Sequence, residues 1–184
     1  MKNQDDRAQM SLPGTPEQRP ASADSARKGR RIPHLEILKT LQDPALGITG
    51  VAEIYRLHVL TVKTRGIHLL GRKSPAQIIE TLLGYELKAS YKRIHCPDMV
   101  TARYLKIFTE IGCRTVRLPY DPTVTAALVP HLEKAVAKIE SGVRDIYPKD
   151  RHLQIYVMRE IYRRLRSQLK RAQQNLVAGL AEGQ

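Results

Sequence analysis

"LLGRKSPAQIIETLLG", residues 69–84, places two cations directly before what reads as a helix start. Ser74 suits the N-cap, Pro75 suits the first helical position, and Gln77 completes a capping box that satisfies otherwise unpaired backbone N–H groups. Ile78, Ile79, Leu82 and Leu83 would form the buried face, and Gly84 would end the element. A helix start offers free N–H groups and a partial positive charge, so an anion can dock there. Arg72 would fork onto two phosphate oxygens and Lys73 would add a point charge. The Ser74 hydroxyl would either cap the helix or face the ligand. The stretch is not a P-loop, because the glycine spacing and the Gly-Lys-Ser/Thr ending are absent.

Working outward, Val51, Ile54, Tyr55, His58 and Val62 recur at three- and four-residue steps, the spacing of an amphipathic helix that Gly66 would end. Before it, Leu35, Leu38 and Leu41 share a helical face that Asp43-Pro44 stops. After it, "YELKASYKRIHC" alternates polar and apolar residues and reads as a hairpin turning at Ala89-Ser90 or Ser90-Tyr91. "PDMVTARYLKIFTEIG" reads as a helix closed by Gly112. "RTVRLP" reads as a strand with Arg114 and Arg117 outward, Val116 and Leu118 inward, and Pro119 as its end. A further helix follows the "YDPT" turn, with a break or kink at Pro130.

The last segment, about 148–179, is the longest predicted helix. Leu153, Val157, Ile161, Leu165 and Leu169 step by four, and Leu176 and Leu180 continue the stripe. Arg159, Arg163, Arg166 and Lys170 fall largely opposite it at 100° per residue. The apolar stripe is expected to pack on the domain and the Arg stripe to contact phosphates, the alternative being a solvated exterior. Tyr156 and Tyr162 sit at packing spacing, with base stacking as the other reading. The expected fold is α+β and mainly helical, with four or five helices around a short two- or three-stranded sheet and a long basic C-terminal helix. Residues 1–32 read as a disordered basic tail ending in the "RKGRR" of 27–31, residues 33–142 as the globular domain, and 143–184 as a linker and the basic helix.

Charge dominates the functional reading. The chain of 184 residues has 31 Lys and Arg against 18 Asp and Glu, a formal charge of +13. Such an excess attracts polyanions and says nothing about fold. From Glu53 to Glu80 no acid intervenes, while Arg56, Lys63, Arg65, Arg72 and Lys73 occur together with His58 and His68. Lys92 and Arg93 precede a second helix start. Two helices, a turn and another helix in this window also suggest a helix-turn-helix variant, although the spacing is long for that motif.

The leading expectation is therefore a non-enzymatic nucleic-acid-binding protein, DNA or RNA, that grips phosphates through Arg56, Lys63, Arg65, Arg72, Lys73, Ser74, Lys92, Arg93, Arg159, Arg163, Arg166 and Lys170. One alternative is an enzyme on a phosphorylated or nucleotide substrate. It would use the Arg72-Lys73-Ser74 helix start for the phosphate and Cys96, His95 or Asp98 for chemistry, with the helix dipole and cations lowering the Cys96 thiol pKa. The plain reading of Cys96 is a small packing residue. Another alternative is a subunit or homodimer using the C-terminal helix as its interface. Glu86, Lys88 and Asp98 are the residue types of a metal-dependent nuclease site, but they stand in reversed order and a second aspartate is missing from the expected place. No metal site or cofactor is expected from the scattered histidines. No apolar run approaches the ~20 residues of a spanning helix, no secretory signal is seen, and two cysteines make no disulfide framework. A cytoplasmic location follows as the simplest expectation.

Overall fold

The computed structural model describes residues 48–181, with side chains from 50 to 175. The helix expected at 35–43, the tail at 1–32 and the side chains of Leu176 and Leu180 lie outside the described residues.

The 69–84 stretch corrects the first expectation: it contains a strand. Ala76–Thr81 (β2) pairs antiparallel with Gly84–Ala89 (β3), which pairs with Lys92–Cys96 (β4). Ile78 and Ile79 are β-branched and fit a half-buried pleated surface, and the pairing with β3 outweighs the local helix signal. Leu82 and Leu83, expected in the core, form the hairpin turn and are exposed. Gly84 stands at φ +119°, and a Cβ there would come within 3.0 Å of the Cys96 carbonyl oxygen. Ser74 caps no helix; it is buried, and its hydroxyl donates to the Pro75 carbonyl at 3.3 Å. No helix-terminal anion seat exists at Arg72-Lys73-Ser74. The hairpin after it forms as the alternation implies, turning at Ser90 and Tyr91.

The helix expected from 51 to 66 ends early. Helix α1 runs Ile48–Ile54 and continues as a π turn, Tyr55–Val59, closed by Leu60 N–H donating to the Tyr55 carbonyl at 3.2 Å. The wider turn keeps Val51, Tyr55 and Val59 in phase on the buried side and leaves His58 exposed. The chain then enters strand β1, Thr64–His68, so Gly66 lies within a strand rather than past a helix end.

Helix α2, Met99–Ile111, is central and buried on most of its surface. Asp98 caps its start, its carboxylate accepting the Thr101 N–H at 2.6 Å. Gly112 closes it at φ 88°. Strand β5, Thr115–Pro119, pairs antiparallel with β1. Helix α3, Pro122–Ile146, starts at Asp121 and runs through Pro130 without interruption. Helix α4, Arg151–Ala181, buries Leu153, Val157, Ile161, Leu165 and Leu169 as the stripe requires. The described residues thus form four helices, one ribbon and one three-stranded sheet, an α+β arrangement of mainly helical content. With a single Phe available, tyrosine fills the centre: Phe108 packs against Tyr55 and Tyr104 at ring-centroid distances of 5.4 and 5.0 Å.

Candidate functional site

Alternation along β5 turns Val116 and Leu118 into the core and Thr115 and Arg117 away from it. Register places Gly66 of β1 opposite Arg117, and cross-strand partners share a face. A Cβ at Gly66 would meet nothing within 4 Å, so the neighbouring strand leaves the Arg117 side chain unobstructed.

Among the described residues the second edge of β5 has no strand beside it, and buried tyrosines take that place. The Arg117 N–H donates to the Tyr55 hydroxyl at 2.7 Å, and the Tyr104 hydroxyl donates to the Arg117 carbonyl at 2.7 Å. Burial pushes the Tyr55 phenol up to about 12 and raises that of Tyr104 well above its ordinary value, so both stay protonated. From α4, the Gln173 amide donates to the Tyr55 hydroxyl at 2.8 Å and to the Thr115 carbonyl at 3.3 Å. The backbone of β5 is thereby tied to α1, α2 and α4. Tyr55→Phe leaves the Arg117 N–H without its partner and is expected to cost about 1–3 kcal/mol, measurable by urea unfolding.

Between β5 and α4 lies a groove of ≈ 830 Å³. Its lining includes Arg114, Arg117, Arg166 and Lys170, together with Gln173 and Gln174, and no acidic side chain among the described residues. None of these four cations meets a carboxylate among the described residues. Arg166 donates to the Ile111 carbonyl at 2.8 Å, satisfying a group at the negative end of α2. That bond fixes the guanidinium in place and uses one of its five N–H donors.

The other predicted cations are distributed differently. Arg163 forms a forked pair with Glu160 at 2.7 and 2.6 Å, and Arg93 pairs with Glu86 at 3.3 Å. The Lys92 ammonium donates to the His68 carbonyl at 2.7 Å, and Arg72 reaches the Ser90 hydroxyl at 3.4 Å. The first contact latches the three-stranded sheet to the ribbon, and the second ties the connection between β1 and β2 to the turn between β3 and β4. Lys73 lies 4.6 Å from the Tyr162 ring centroid, and Lys63 lies 5.7 Å from that of Tyr120. Arg65 is in register with Leu118 and so emerges from the ribbon face opposite Arg117. Arg56 lines a separate cleft with Glu53 and Arg171, and Arg159 is exposed. Of the twelve residues expected at an interface, the groove gathers Arg166 and Lys170 and adds Arg114 and Arg117. The alternation of "RTVRLP" was the available signal for Arg117; Arg114 stands just before the strand, with the parity of the inward Val116 and Leu118.

The enzyme constellation does not assemble. Cys96 is fully buried, and burial raises its thiol to about 11 rather than lowering it. His95, one residue along β4, points to the exposed face of the sheet. The Asp98 carboxylate is taken up by the Thr101 N–H and hydroxyl, at 2.6 and 3.0 Å. Cys113 lines the groove, but burial pushes its thiol up to about 12. Among the described residues no three His, Cys, Asp or Glu side chains converge as metal ligands, and no helix is long and apolar enough to cross a membrane. The apolar stripe of α4, over its described side chains, is buried in this chain's own core and is not a free interface. Comparison with protein-family models, curated proteins and solved structures finds no match.

Proposed function

We propose that the protein binds nucleic acid, without catalysis, by holding backbone phosphates in the groove between β5 and α4. The observation that carries this reading is the lining itself: Arg114, Arg117, Arg166 and Lys170 line one concavity with no carboxylate among its described residues. Like charges crowded together repel one another, and a bound polyanion relieves that repulsion. Phosphate contacts of this kind set position and affinity with little dependence on base sequence. A cytoplasmic location, where thiols stay reduced, suits the two free cysteines.

Binding through four cations releases condensed counterions, so the logarithm of affinity should fall linearly with the logarithm of salt, with a slope near −3. Fluorescence anisotropy with labelled DNA and RNA oligonucleotides tests this. Affinity is expected to drop roughly fiftyfold between about 50 and about 200 mM salt. A flat response, or no binding at low salt, defeats the proposal.

A further inference from the structure

We infer that the groove takes a single strand of nucleic acid in preference to a duplex; this rests on reading the groove as a phosphate site. Proteins that read duplexes push a helix or ribbon into the DNA groove. Here the geometry is inverted. The cations line a concavity whose ≈ 830 Å³ is the size of a small-molecule site, so the nucleic acid must enter the protein. A duplex carries its phosphates on a broad convex surface and reaches only the rim. A lone strand can be followed along its backbone by such a groove.

The rest of the lining suits exposed bases. Gln174 offers an amide and Gly71 an exposed, uncharged stretch of backbone. An exposed tyrosine beside a cation also stands next to one end of the groove. Tyr120, directly after β5, has the Lys63 ammonium 5.7 Å from its ring centroid, but it alternates with Leu118 and so lies on the ribbon face away from Arg117. At the other end Arg72 follows Gly71 of the groove, and its guanidinium lies 5.7 Å from the centroid of Tyr91, which is 80% exposed. β5 itself spans about 16 Å at ~3.3 Å per residue. A strand laid along it would pass the cations and run on toward the Tyr91 ring beside Arg72. Aromatic stacking is tolerant of sequence and is open only to unpaired bases.

The test compares an oligonucleotide of about twelve nucleotides as a single strand, in DNA and RNA form, with its duplex at one salt concentration. The single strand is expected to bind at least about tenfold more tightly. Tyr91→Ala should weaken single-strand binding by about tenfold, leave duplex binding unchanged, and be rescued by phenylalanine at the same position, while Tyr120→Ala, on the other face of the ribbon, should change neither. Equal or tighter duplex binding overturns the inference while leaving the phosphate groove standing. A Tyr91→Ala variant that binds single strands like the parent, or a Tyr120→Ala variant that weakens them equally, overturns the stacking role. Failure to bind either form overturns the groove reading as well.

Discussion

Replacing Arg114, Arg117 and Lys170 together by glutamate is expected to weaken nucleic-acid binding by roughly a hundredfold at low salt, for every base sequence alike. The three residues line one groove and have no carboxylate partner among the described residues, so reversal adds repulsion to the loss of contact. Arg166 is left in place because it also closes the C-terminal end of α2 through the Ile111 carbonyl. Arg114 and Lys170 are exposed, and the Arg117 backbone is held by two tyrosine hydroxyls irrespective of its side chain. The variant should therefore melt close to the parent temperature, and circular dichroism checks that. A folded variant with unchanged affinity would place the binding surface elsewhere.

Gly112→Ala is expected to destabilise the fold by about 3 kcal/mol, a large part of the 5–15 kcal/mol typical of a domain. Two causes add. The residue sits at φ 88°, which an L side chain adopts only with strain. A Cβ there would also lie 2.5 Å from the Lys73 nitrogen and 2.9 Å from the Arg72 carbonyl carbon, and both are backbone atoms. The connection before β2 must then move off the end of α2. Gly112 and its neighbour Cys113 line the groove, so urea unfolding and binding should report the damage together. A midpoint within experimental error of the parent contradicts this packing.

Elements with local signals were legible in the sequence. Helix α2 has a carboxylate cap at Asp98 and a left-handed closing residue at Gly112, both within a few residues of the helix they bound. Strand β5 shows its faces by alternation, and α4 shows its buried stripe by a step of four. The 69–84 stretch was not legible, because Ile78, Ile79, Leu82 and Leu83 satisfy a helical face as well as a strand followed by an apolar turn. Pairing with 84–89 decides between them, and pairing is non-local. The helix-to-strand switch before Thr64 has the same origin, since β1 exists only against β5.

The site divides along the same line. A count of cations does not tell which are already satisfied. Arg163 has Glu160 three residues earlier on its own helix, a local pairing the sequence does contain. Lys92 and Arg72 are engaged by a carbonyl and a hydroxyl distant in sequence, which no local pattern announces. That Arg117 and Lys170 line one groove depends on Tyr55, Tyr104 and Gln173 fixing β5 beside α4.

The most direct measurement compares salt dependence in charge-matched variants. One neutralises Arg114, Arg117 and Lys170 to glutamine; the other neutralises Lys134, Lys138 and Lys149, which are exposed and do not line the groove. Both lower the net charge equally. The groove variant is expected to reduce the slope of log affinity against log salt by about 2, while the second variant leaves it nearly unchanged. Equal slopes in the two variants would mean that the ligand responds to total charge, and the groove would lose its role.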